Sequence, residues 1–202
     1  MKTRAIALAL LLGLAPLSVA AAEAGDAVFA ERGPWDLGDR ALEWRMTVEG
    51  PAAEGFRPTE DGSLTLSQAI DPNDQQPILQ MTQKAGPIDR TIGPFPISSG
   101  DPVLTFFLEQ TTRDMAALTG GSPHYIRNRM KEALFRGGEI AATDDGVTAR
   151  FQPFAADANA ARMNGFQSLT LTFLMAQPDQ PIRELRAETD AAPGYRNRLV
   201  LQ

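Results

Sequence analysis

The sequence predicts an α+β domain: a curved antiparallel sheet of about eight strands, forming an open half-barrel, with a helical hairpin inserted after the third strand and packed on one face. Three observations lead there. Several short runs alternate apolar with polar residues, the period of a strand with one wet face. Between residues 101 and 138 the apolar spacing changes to that of a helix, once in each arm of a pair. Strands and helices also come in separate runs rather than as alternating βαβ units, which argues against a doubly wound parallel sheet.

Each element has its own signal. Leu42, Trp44, Met46 and Val48 alternate with Glu43, Arg45, Thr47 and Glu49, and Gly50-Pro51 ends this first strand. Leu64, Leu66 and Ile70 mark a second strand, and Leu79 with Met81 a third, after the turn at Asp71-Pro72-Asn73-Asp74. Residues 86–100, with three prolines, read as a long loop. Asp101-Pro102 then supplies an N-cap and a first-turn proline for a helix carrying Leu104, Phe107, Leu108, Thr111, Met115 and Leu118. Gly120-Gly121 stops it, Ser122-Pro123 starts a second helix with Ile126, Met130 and Leu134 on one face, and Gly137-Gly138 stops that. A hairpin is expected around Asp144-Asp145-Gly146, and further strands over 166–176, 182–189 and 195–202. Residues 23–40 show no clean period and are expected to wrap over the domain.

At the N-terminus, Lys2 and Arg4 precede an uncharged stretch that ends in small residues at Ala22. This is the pattern of a secretory leader over residues 1–22. Its apolar heart, Ala5 to Leu17, is shorter than the roughly 20 residues of a membrane span, and Pro16 interrupts it. Cleavage fits after Ala22 or after Ala20, the former being preferred, and residues 23–202 follow as a single exported domain, periplasmic or secreted, without a membrane span. The chain has no cysteine, so it has no lipid-modified cysteine, no disulfide and no thiolate metal site.

The net charge of −6 over 202 residues becomes more negative by two when Lys2 and Arg4 leave with the leader. Nucleic-acid binding calls for a basic footprint, so that class of partner is excluded. A single histidine, His124, excludes sites that need two imidazoles. Gly120-Gly121-Ser122-Pro123-His124 lacks the second glycine of a nucleophile elbow, and helix capping accounts for Ser122 and Pro123. No catalytic residue, metal site or cofactor is therefore assigned. A hydrolase using carboxylates or Ser122 with His124 is the third-ranked reading.

Two features point to binding. Residues 86–100 are unusually apolar for a loop, holding Ile88, Ile92, Phe95 and Ile97, and the helix they feed carries Val103, Phe106 and Phe107 around more of its girth than one core stripe needs. The second helix bears Arg127, Arg129, Lys131 and Arg136 against a single Glu132. Arg127 and Lys131, four residues apart, share a face and suit a phosphate or carboxylate. The candidate site is thus Phe95, Val103, Phe106, Phe107, Arg127 and Lys131. The leading expectation is a non-catalytic periplasmic protein that binds a lipid-like or other apolar or amphipathic small molecule in a cavity between sheet and helical hairpin. The alternative is an envelope assembly factor that docks another envelope protein through the proline-rich segment and the basic helix.

Overall fold

Trp44, Met46 and Val48 of β1 (Ala41–Glu49) are buried while Arg45 and Glu49 are exposed, so the alternation in the sequence becomes a strand with one face in the core. The computed structural model describes residues 17–98, 100–190 and 194–202. The first half of the chain supplies α1 (Leu17–Val28), β1, β2 (Thr59–Ile70), β3 (Pro77–Ala85) and β4 (Ile88–Pro96). Then come α2 (Pro102–Thr119), α3 (Pro123–Arg136), β5 (Glu139–Thr143), β6 (Gly146–Phe151), β7 (Thr170–Met175), β8 (Ile182–Glu188) and β9 (Arg196–Leu201).

The described strands form one open antiparallel sheet in the order β4-β3-β2-β1-β9-β8-β7-β6-β5. Two meanders, β1 to β4 and β5 to β9, join where β1 pairs with β9. The edge strands β4 and β5 are consecutive in sequence apart from α2 and α3, so the helical connection has to travel from one edge of the sheet to the other. Register puts Val48, Asn197, Ala187 and Leu171 in one inward row, and Met46, Leu199, Leu185 and Phe173 in the next. Phe107 of α2 meets Phe173 edge-on at a centroid distance of 6.0 Å, and Phe151 meets the same ring at 6.0 Å. All three rings are essentially inaccessible to water, each worth about 1.5–3 kcal/mol of burial. No described helix is long and apolar enough to cross a membrane.

Three expectations are corrected. The sheet has nine strands rather than about eight, because the segment after Gly86 is β4 and not a loop, and α2 follows the fourth strand. Gly86, at φ 54°, precedes Pro87, and this pair of signs closes a two-residue hairpin between Ala85 and Ile88. The prolines are compatible because β4 is an edge strand, where a missing N–H breaks no ladder on the open side. A register shift opposite Leu79 and Met81 breaks its alternation, which hides it from period counting. Second, residues 23–28 are helical, with Ala24, Ala27 and Val28 buried at i, i+3 and i+4. Third, β7 begins only at Thr170, since Phe166–Ser168 is a 3₁₀ turn that starts after Gly165 at φ 93°. Residues 1–16 of the expected leader lie outside the described residues, and residues 17–22 form the start of α1.

The layers are pinned by one buried cation. Arg32, four residues past the end of α1, donates from its Nη atoms to the carbonyls of Val28 (2.8 Å) and Ala27 (3.1 Å) and from Nε to Gln180 O (3.0 Å). Its Nε also lies 3.6 Å from Oδ2 of Asp101, the N-cap of α2, with the two side chains only 1% and 6% exposed. Asp101 in turn accepts from the backbone of Val103 (2.9 Å) and Leu104 (3.0 Å). Burial raises the Asp101 carboxyl pKa, against the opposing pull of those N–H groups and of Arg32.

Arg32→Met keeps the buried stem but leaves Asp101 unpaired and the last carbonyls of α1 without their donor. Urea denaturation should show a loss of about 3–5 kcal/mol, with part of it recovered in R32M/D101N, where no lone charge stays buried. An R32M variant as stable as the parent would contradict this role.

Candidate functional site

The first turns of α2 form a ridge between two surface depressions. Asp101 and Pro102 start the helix at the mouth of the sheet's β3–β4 edge, so Thr105 and Glu109, one turn apart, point away from the core and border both depressions. The smaller, about 190 Å³, lies between that edge and α2, with Met81, Ile92, Phe95 and Phe106 as apolar lining and Arg90 and Arg113 among its polar groups. The larger, about 460 Å³, lies between α2 and α3. Leu108, Met130 and Leu134 line it, and Phe29, just beyond α1, stacks on Phe135 at 4.8 Å with ring planes 8° apart. Phe135 is 65% exposed, an unusual position for so large an apolar side chain.

The structure divides the six predicted residues. Phe95 and Phe106 meet in the smaller depression, and Arg127 and Lys131 border the larger. Val103 and Phe107 do neither, because they face the core with almost no exposure. Arg127 is already engaged: Nε and Nη2 donate to the two carboxylate oxygens of Glu109 at 3.0 and 2.8 Å. These hydrogen bonds hold the Glu109 carboxyl below its usual range. Arg129 binds Asp157 (2.9 Å) and Glu132 (2.6 Å), and Arg136 also reaches Glu132. The basic run is therefore largely neutralised, and Lys131 is the exposed cation beside the larger depression.

Phe29, Leu108, Glu109 and Phe135 line this groove but are not among the six site residues expected from the sequence. Phe135 carries a usable signal, since it lies next to Leu134 and off the buried stripe of Ile126, Met130 and Leu134. Phe29 has none, because its partner is more than a hundred residues away.

Ser122 sits at the N-cap of α3 without a side-chain cap bond, and His124 Nε2 faces the Asn128 amide at 3.0 Å on the exposed first turn. Among the described residues no cluster of three or more His, Asp or Glu could hold a metal. A second carboxyl raised by burial, besides Asp101, is Asp114 of α2, at about 6. It accepts from the Tyr195 hydroxyl (2.9 Å) and the Gln110 amide (2.7 Å) beneath the helix, next to a second contact in which Asn197 donates to Thr111 (3.1 Å). Asp114 is 4% exposed and Tyr195 2%, so this network ties α2 to β9 and is closed to a substrate. No protein-family model matches the chain, and no curated protein is similar to it.

The network has a pH signature. With a folded pKa above the unfolded value, Asp114 favours the native state when protonated, so its contribution is complete below about pH 4 and is lost as pH rises through about 6. Asp114→Asn should therefore gain stability relative to the parent between pH 4 and pH 8, by about 2 kcal/mol in denaturation curves. A difference that stays flat with pH would show that Asp114 does not titrate in this range.

Proposed function

We propose that the protein is a non-catalytic periplasmic protein that binds an amphipathic molecule with a single apolar chain and an acidic head. The chain lies in the groove between α2 and α3, over Leu108, Met130 and Leu134 and against the stacked pair Phe29 and Phe135, and the head meets Lys131. The observation that carries this reading is an apolar groove of about 460 Å³ with a cation at its rim, a size within the common range for small-molecule sites. The leader pattern of residues 1–22 supports export. The reading keeps the curved half-barrel with a helical pair over one face, but moves the ligand from between the layers to the outer side of the helices. It does so because Phe107, Phe151 and Phe173 occupy the interior.

A second reading, an envelope assembly factor, is favoured by the exposure of Phe135 and Phe29, at 65% and 40%. Such a surface suits a partner protein's apolar side chain as well as a lipid.

Titration of the purified protein with oleate, followed by calorimetry, tests the first reading. Binding should weaken about tenfold in Lys131→Glu, and comparably in Phe135→Ser, while Phe106→Ser at the smaller depression leaves it nearly unchanged. No heat from oleate, together with crosslinking of an envelope protein through position 135, would overturn it in favour of the second.

A further inference from the structure

The bulge of β4 shapes the smaller depression. Arg90 pairs with Gln83 and Ile92 with Met81, so both stand over the buried row of β3. Strict alternation would send Phe95, three residues past Ile92, to the opposite face. The register shift opposite Leu79 and Met81 turns it back, so that Phe95 pairs with Leu79 and joins Met81, Ile92 and Phe106 in the lining. Gly93, at φ 133°, lies inside this bulge, and a Cβ there would come within 3.1 Å of Leu79 O and 3.2 Å of the Phe95 ring. Bulges recur beside active sites, where they re-aim a side chain in this way.

The rim is cationic. Arg90 of β4 and Arg113 of α2 border the depression, with Glu109 as the acid in its lining. Glu109 lies 3.5 Å from Arg113 Nε, but it also gives both carboxylate oxygens to Arg127 on its other side, at 3.0 and 2.8 Å. Arg90 Nε donates to the neutral amide oxygen of Gln83 at 2.9 Å, and among the described residues no carboxylate forms an ion pair with Arg90. Asp89 is next in sequence, yet in register it opposes Lys84 on the other face of the strand. Asp114, next to Arg113, is buried beneath α2 and engaged with Tyr195 and Gln110. Even with Asp114 counted as charged, Arg90, Arg113 and Arg127 face two carboxylates, its own and that of Glu109, so one positive charge is left over.

We infer that this depression binds a small monocarboxylic acid with a single aromatic ring, its carboxylate between Arg90 and Arg113 and its ring among Ile92, Phe95 and Phe106. The one charge left over matches one carboxylate. With Nε held by Gln83, the paired Nη groups of Arg90 present the parallel donors that a carboxylate accepts side-on. The volume of about 190 Å³ sets the size, since about 150 Å³ is enough for a benzene ring. Two phenylalanine rings and the Met81 thioether give an aromatic body edge and face contacts that an alkyl group would not use. The ridge of Thr105 and Glu109 separates this depression from the groove between α2 and α3, so occupancy of one does not require the other.

Nuclear magnetic resonance titration of the full chain, labelled at its methionine methyl groups, tests the site with phenylacetate, acetate and benzyl alcohol. Phenylacetate should move the Met81 methyl signal to saturation, and acetate and benzyl alcohol, each lacking one half of the ligand, should bind about tenfold more weakly or less. Arg90→Gln should weaken phenylacetate about tenfold and Phe106→Ser comparably, while Lys131→Glu at the larger groove leaves it unchanged. The Met81 signal of the parent protein is a readout that holds even if a variant folds poorly. An unmoved Met81 signal with phenylacetate, or equal affinity in parent and R90Q, would overturn the site. Acetate binding as tightly as phenylacetate would overturn the aromatic assignment, and benzyl alcohol doing so would overturn the role of the carboxylate.

Discussion

A single buried guanidinium, that of Arg32, holds the helical layer in place over the sheet. Burying a cation is costly unless its donors are all met, and here they meet the end of α1, the start of α2 and the β7–β8 loop at once. Asp101 faces the other way as well, closing the first turn of α2. The pair therefore sets where two helices stand relative to each other, which apolar packing alone does loosely because it has no direction. Phe29 lies between α1 and Arg32, so the same contacts bring its ring to Phe135 and complete one wall of the larger groove.

Topology supplies the second constraint. Because β4 and β5 are the two edges of one open sheet, the chain between them must cross its width, and α2 and α3 are the crossing. A connection of that kind covers the inner face and leaves the outer one bare. The inner face is accordingly apolar and filled, with a few polar ties such as Tyr195 to Asp114 and Asn197 to Thr111 that fix the seating of α2. The outer face is left to charged side chains from β1, β8 and β9. The candidate groove follows from this division, since it lies on the far side of the helices from the filled inner face.

Much of this was legible in the sequence because it is periodic. The alternation of Trp44, Met46 and Val48, the Asp101-Pro102 start and the Gly120-Gly121 stop of α2 each report a local geometry. What escaped depends on partners distant in sequence or on broken periods. β4 was hidden by its bulge and its prolines, which an edge strand tolerates and a central strand does not. The helix at 23–28 was hidden by its short amphipathic run beside the leader pattern. Arg127 looked free on its helix, yet its acid, Glu109, lies on the other helix, and no spacing rule within one element reveals that. Phe106 and Phe107 are adjacent and chemically alike, and only the orientation of α2 sends one to a surface depression and the other to the core.

Phe107, Phe151 and Phe173 fill the interior, and the proposed ligand site is the groove outside the helices. A crystal structure of the protein grown with oleate separates this arrangement from one with the ligand between the layers. The predicted result is chain density along Leu108, Met130 and Leu134, ending beside Phe29 and Phe135, with the carboxylate toward Lys131. Density between the helices and the sheet, with Phe107 displaced from Phe173, would contradict it.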